Sequence, residues 1–323
     1  MDLLEVFNRP IVTAFVDKDV TINTIFQDGG VFVSTDEIVN ALNLNQSVIS
    51  VPHLLEPDYS LESNYSNNIY NDIAEPRFLE FDSVTARVAY LNEGWAAPAL
   101  AQQLSGVNPN QLIAKRANKY WTAQTEMRVI ASAFGVFNSN KTNADIVNKT
   151  ATPFSVEAFV ATRDSGLSPR GVMITSTANK TKMTLAQLQI PGADPSDVKT
   201  VDVYNGYIVV ANDKYAKLAD GSTLTMLFGK DAFIAASKAN PRDMRVETSE
   251  SRGNGGGVDV LWTRRDILVH PQGFNFTSAK LTGGTKNQAL SASLEDLTDA
   301  TNWTAAGGNA LTDTAIRFLV TKG

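Results

Sequence analysis

The chain is 323 residues long, 43% hydrophobic and 19% charged, the balance of a folded protein of one large or two modest domains. It has no cysteine, which removes disulfides, thiolate chemistry and cysteine-based zinc sites, and its 2 histidines restrict metal clusters and histidine-activated nucleophiles. A net charge of −6 argues against a protein whose main task is to grip nucleic acid, and no apolar run approaches the length of a membrane span.

Asp2 and Glu5 stand where a secretory leader would carry basic residues. Residues 1–50 show short apolar bursts, Ile11 to Val16 and Val31 to Thr35, separated by Asp28-Gly29-Gly30. They predict an extended arm with one short helix from Thr35 to Leu42, capped by Thr35, and no core of its own. Residues 51–94 turn polar and aromatic, with Tyr59, Tyr65, Tyr70 and Phe78, before Val84, Ala86, Val88 and Tyr90 alternate on one strand face. A long loop without its own core is uncommon unless it has a function, and tyrosines suit interfaces. Tyr59, Tyr65, Tyr70 and Phe78 are therefore candidate subunit contacts.

Residues 95–140 contain the strongest single signal, one unusually long helix. Asn108 stands at the N-cap and Pro109 at the first helical position, where a missing N–H costs nothing; the end falls between Gly135 and Asn140. Ile113, Ala117, Tyr120, Gln124, Met127, Ala131 and Phe134 recur at three- and four-residue steps, predicting one apolar stripe against a sheet. Lys115, Arg116, Lys119 and Arg128, with Arg264 and Arg265 downstream, read as a solvated face or as partners for carboxylates on neighbouring chains.

Residues 141–241 read as a separate α+β lobe. It is expected to hold a helix over Thr184 to Gln189, strands over Thr200 to Tyr204, Tyr207 to Ala211 and Leu224 to Leu227, and another short helix over Gly229 to Ser237. Asn205-Gly206 marks a tight hairpin turn. In residues 242–285 two strands, Met244 onward and Val258 to His270, flank the tip Arg252 to Gly257. Residues 286–323 end the chain.

Catalytic signals are sparse. The glycine-rich tip precedes a strand rather than a helix, so it fails as a phosphate cradle, and Gly229-Lys230 fails the P-loop spacing because position 224 is Leu. His270, before Pro271, reads as a packed turn residue. Asp194 with Asp197, or Asp213 with Asp220, sit in turn contexts that explain them. The expectation is no enzyme, no cofactor and no metal, with a soluble hydrolase as a remote alternative.

Several segments, in order, carry a family resemblance: LNEGWAAPALAQQLSGVNPNQLIAKRANKYW and AFGVF, then YNGYIVVAND, TMLFGKDAFIAAS, ETSESR, WTRRDILVHPQGFNF, NQALSASLEDLTDATNW and IRFLVTKG. Together they resemble the major capsid proteins of tailed bacteriophages, of the Hong Kong 97-type fold. The resemblance runs from about Val84 to the end and is loose before that and between Asn138 and Pro195.

It implies an α+β fold with an N-terminal arm, an extended two-stranded loop lying across the adjacent subunit, a spine helix on a peripheral sheet, an inserted axial lobe, and a C-terminal helix and last strand. It places the tip with Arg252, Gly253, Asn254 and Gly255 at junctions between subunits. The implied function is self-assembly through hexamers and pentamers into an icosahedral shell around double-stranded DNA, in the virion after assembly in the host cytoplasm. The implied partners are many copies of the chain, a separate scaffolding protein and a portal, packaged DNA in loose contact, and no membrane. An encapsulin-type nanocompartment is the alternative. Physically, an arm and loop that cannot bury their apolar residues internally are expected to bury them in association.

Overall fold

The computed structural model describes residues 24–43, 46–54, 61–65, 76, 81–98, 109–188, 203–238, 244–249, 251, 257–283, 291–306, 311 and 314–322. The apolar burst at Ile11 to Val16, and the candidates Tyr59, Tyr70, Phe78, Arg252, Gly253, Asn254 and Gly255, lie outside the described residues.

The described chain starts with helix α1 (Ile25–Asp28), strand β1 (Phe32–Val33), helix α2 (Asp36–Asn43) and strand β2 (Val48–Leu54). The Thr24 hydroxyl accepts from Gln27 N–H to start α1, and Thr35 Oγ1 accepts from Ile38 N–H at 3.4 Å to start α2, as its sequence predicted. Strand β3 (Phe81–Pro98) and the long helix α3 (Pro109–Ser139) follow. At 31 residues α3 is roughly 46 Å long, and its bounds agree with the expected Pro109 start and the stop before Asn140.

Next come β4 (Val147–Lys149), α4 (Val156–Asp164), β5 (Gly171–Thr175), α5 (Thr177–Leu188), β6 (Val203–Tyr204), β7 (Tyr207–Ala211), α6 (Asp213–Ala216), β8 (Thr223–Phe228) and β9 (Phe233–Lys238). The chain continues through β10 (Met244–Ser249), β11 (Val258–Pro271), β12 (Phe274–Phe276), α7 (Leu294–Thr298), β13 (Trp303–Ala305) and β14 (Ile316–Thr321).

Two six-stranded sheets and a two-stranded β12–β13 pair organise these elements among the described residues. In the first, the strand order is β1-β9-β11-β3-β2, with β10 also paired to β11. Its spine is the antiparallel ribbon of β3 and β11, in which Val258 faces Pro98 and Leu268 faces Val88. Beyond that pairing β2 takes over as the neighbour of β3, from Val48 opposite Arg87 to Leu54 opposite Phe81. The second sheet runs β4-β14-β8-β5-β7-β6. The last strand of the chain thus lies between β4 and β8, inside the sheet built by residues before β9. The β6–β7 hairpin turns at Asn205 (φ 50) and Gly206 (φ 89), both left-handed, as a type I′ turn demands.

Helix α3 joins the two sheets. Its first half lies on the ribbon: the Trp121 indole N–H donates to Thr263 Oγ1 at 3.1 Å, Thr263 donates to Glu93 O at 3.2 Å, and Tyr120 Oη donates to Glu93 Oε2 at 3.1 Å. Its second half is enclosed. Val129, Ile130, Ala133, Val136 and Phe137 share one core with Phe228, Phe318, Phe274 and Trp303. A smaller core joins Ile38, Leu42, Ile49 and Val51 to Ala86, Val88, Ile234 and Leu268.

The structure corrects several expectations. The stripe expected on α3 holds only in part: Ala117 and Ala131 are buried, but Met127 is 41% exposed, whereas Trp121 and Thr125, outside it, are buried. From Arg128 to Phe137 the helix is buried nearly all round, so apolar residues recur on every face and a single stripe cannot be read from them. Gly229 to Ser237 is not a helix. Phe233–Lys238 is strand β9, paired parallel to β1 and antiparallel to β11, and its buried run Phe233, Ile234, Ala235 and Ala236 lacks alternation because both faces are covered.

Helix α5 begins at Thr177, well before Thr184. The C-terminal helical segment is short among the described residues, Leu294–Thr298 followed by a 3-10 turn Ala300–Asn302, because the backbone turns extended at Asp299. Residues 24–54 were expected to lack internal burial; Phe26, Val31, Ile38, Leu42 and Ile49 are buried within the chain. Arg128 and Arg265 are not a solvated face, each being only 8% exposed.

Candidate subunit-contact surfaces

Burial sorts the polar residues into those that hold the subunit together and those that face outward. Asp296 is the clearest internal case. Ser293 caps α7 and forms a reciprocal capping box with Asp296, whose carboxylate accepts from Ser293 N–H and Oγ, Thr282 N–H and Oγ1, and Gly283 N–H, each at 2.9 Å. Burial works to raise its pKa, but the bonds from Thr282 and Ser293 prevail and hold it below the usual carboxylate value. Arg128, on the facing side of α3, donates from Nη2 to Ala292 O at 2.7 Å. Burial brings its guanidinium down to about 10, opposed by the Asp296 charge. This cluster locks the segment around α7 onto the long helix.

His270 is likewise internal. It ends β11 just before the Gln272-Gly273 turn, packs against Trp303 at 5.7 Å between ring centroids, and pairs Nε2 with Phe274 O at 2.6 Å. Burial depresses its pKa to about 4, so the ring is neutral and donates to that carbonyl. Among the described residues no group of three or more His, Cys, Asp or Glu is placed to hold a metal.

Of the carboxylates weighed as catalytic, Asp194 and Asp197 lie outside the described residues, and Asp213 and Asp220 are occupied by local structure. Asp213 accepts from Thr177 N–H at 2.8 Å and pairs with Lys217 at 3.1 Å; Asp220 accepts from Ser222 N–H at 2.9 Å. A cavity of about 450 Å³ beside β4 is lined in part by Asp145, Lys149, Thr162 and Arg317. Arg317 is committed to the protein, donating to Ser165 O at 3.0 Å and Thr314 O at 2.5 Å.

Exposed large apolar side chains are spread over the described surface, Ile25, Met127, Val156 and Val203 among them. In the segment between β2 and β3, Leu61 is 55% exposed and Tyr65 60% exposed, and Tyr65 Oη donates to the Glu62 carboxylate. Of the predicted contacts Tyr65 is the one the structure describes, and it lies at the surface. At the β10–β11 end, Arg245, Val246 and Glu247 are exposed on the outer strand, and Gly257 (φ 75) leads from the tip into β11. The sequence reading chose aromatic and tip residues and passed over β10; the alternation of charge around Val246 was the signal available.

The chain is 25% identical over 316 residues to the major capsid protein of Bacillus phage SPP1, a match covering 93% of this chain and 90% of that protein. Its fold matches the capsid of Helicobacter pylori bacteriophage KHP30 (10% identity, TM-score 0.51, covering 90% of this chain and 86% of the other). It also matches the capsid of cyanophage Pam1 (11% identity, TM-score 0.53, covering 90% and 88%). The fold is that of phage capsids, the Hong Kong 97-like type, and the sequence resembles a major capsid protein. No family profile matches the chain. The proteins it resembles are structural components of phage capsids, which does not favour the nanocompartment alternative.

Proposed function

We propose that copies of this chain assemble as hexamers and pentamers into an icosahedral shell around a double-stranded DNA genome. A scaffolding protein and a portal are its assembly partners, and it is not itself an enzyme. The observation that carries this reading is the helix-bridged pair of sheets, matched to phage capsids over 90% of the chain. A single fold of this kind can be head-to-tail around a five- or sixfold axis, and such heterologous contacts close on themselves when the rotation permits. Interfaces of obligate assemblies bury about 2,000–5,000 Å², which favours cohesion shared over many contacts. The net charge of −6 supports loose contact with packaged DNA, since tight phosphate binding needs concentrated positive charge.

The test is size. Sedimentation velocity and electron microscopy of the protein, expressed alone and with the phage's scaffolding protein, are expected to give closed particles in the second case. A monomer or small oligomer under both conditions, at every concentration and ionic strength, overturns the reading.

A further inference from the structure

Strand β10 is an edge. Its six residues, Met244–Ser249, pair with β11 along one side, and among the described residues no strand pairs with its other side. Natural edge strands are usually blunted by proline, a bulge, charged side chains or a cover, because an open row of N–H and C=O groups templates further pairing. The charges on β10 are of opposite sign, exposed Arg245 and Glu247 flanking exposed Val246, so they deter most strands but can complement an identical one.

Successive strand side chains alternate between faces, so Arg245 and Glu247 share one face and Val246 takes the other. The Glu247 carboxylate is already oriented: Trp262 on β11 donates its indole N–H to Oε2 at 2.8 Å. The Trp262 ring is itself set over Gly94 of β3, where a side chain would come within 2.8 Å of it. The charged face is therefore backed by a fixed platform, and the carboxylate keeps acceptor capacity for a second donor.

We infer that this edge pairs with β10 of a second copy, antiparallel and about a twofold axis through Val246, continuing the first sheet from one subunit into the next. The strand's own charge pattern selects that occupant and register. Centred on Val246, an identical antiparallel strand sets Arg245 opposite Glu247 of the second copy and Glu247 opposite its Arg245, two complementary pairs from one symmetric contact. Centring on Arg245 or Glu247 sets like charge against like, as does a parallel in-register pairing. Main-chain bonds supply the attraction and the charges fix the register.

The inference rests on the shell reading, and the experiment separates the two. The chain has no cysteine, so Val246→Cys introduces a single thiol. Directly opposed residues of an antiparallel pair lie about 4.5–5.5 Å apart between Cα atoms, within the range a disulfide spans. Assembled particles of V246C, mildly oxidised, are expected to yield a disulfide-linked dimer on a non-reducing gel. T304C, an exposed cysteine on β13, is expected to yield none. In the V246C background R245E is expected to abolish the dimer, and R245E with E247R to restore it.

Particles whose V246C subunits stay monomeric, or link to another protein, or link equally well with R245E, overturn the pairing while leaving the shell intact. A wild-type chain that never forms particles overturns the shell reading and the pairing with it. Because cysteine itself perturbs the strand, particle yield of R245E and of R245E/E247R without the cysteine provides a second measurement. Loss in the first and recovery in the second supports the pairing; equal yields count against it.

Discussion

A methyl group on Gly135 would lie 2.3 Å from the indole nitrogen of Trp303 and 2.0 Å from the carbonyl oxygen of Leu297, so the long helix and the segment around α7 touch at a point where only hydrogen fits. That contact is reinforced by the Trp303 indole N–H, which donates to the same Leu297 oxygen at 2.8 Å. A helix-interior glycine costs about 1 kcal/mol relative to alanine, yet alanine here would meet backbone rather than a flexible side-chain end. Gly135→Ala is therefore expected to destabilise the subunit by about 3 kcal/mol or more, at or above the usual range for overpacking. The midpoint of urea unfolding measures it, and an unchanged midpoint would show that the helix and α7 separate without cost.

Asp296 offers a chemical counterpart to that steric contact. Its carboxylate gathers five hydrogen bonds and faces the buried Arg128, so Asp296→Asn removes charge-assisted bonds while keeping the shape. Bonds to charged groups are worth about 1.5–3 kcal/mol each and are not additive, so an overall loss of about 2–4 kcal/mol is expected. Because the folded pKa is depressed, the wild-type contribution is present above the unfolded value of about 3.9 and fades as pH falls through the folded one. The difference in stability between wild type and D296N should therefore be full at pH 7 and shrink below about pH 4. A gap between the two proteins that does not change with pH would remove the carboxylate from the account.

What was legible in the sequence was local. The Pro109 start of the long helix, the left-handed Asn205-Gly206 turn, the Thr35 cap and the alternation of Val84, Ala86 and Val88 each depend on neighbours within a few residues. Gly135 was visible only as the end of a helix, because the groups that require it, Leu297 and Trp303, lie far along the chain. Phe233–Lys238 was mistaken for a helix for a related reason: once sheet neighbours and packing cover both faces, the period of two that identifies a strand disappears. Arg128 looked like part of a solvated face because its Asp296 companion is supplied by tertiary folding. Tyr65 is a contact candidate from composition and the structure shows it exposed, while the β10 edge depends on knowing which strands lack a neighbour.

Leu61 and Tyr65 separate assembly from folding. Both are more than half exposed, so removing them costs the isolated subunit little, whereas a surface buried between copies would lose apolar area at each contact. The double variant Leu61→Asp, Tyr65→Ala is expected to leave the urea midpoint within about 0.5 kcal/mol of wild type and to reduce particle yield sharply. Normal particles from this variant would exclude these two side chains as subunit contacts.

His270 makes the subunit respond to acid above the range where carboxylates titrate. Buried against Trp303 and bonded to Phe274 O, it takes a proton in the folded chain only at about pH 4, whereas in the unfolded chain it does so at about 6.5. Between those values the unfolded state binds more protons, so stability is full above about pH 6.5 and falls as the pH is lowered toward 4, by up to about 1.4 kcal/mol per unit. Below about 4 both states are protonated and this contribution stops changing. His270→Gln keeps a donor for Phe274 O and removes the titration, so it should flatten the stability profile between pH 6.5 and 4.5 even if it lowers stability throughout. Urea midpoints of the two proteins at pH 7.0, 6.0 and 5.0 decide it: parallel profiles would mean that the buried ring exchanges its proton with little penalty, and a steeper wild-type profile would trace the acid response to this one imidazole.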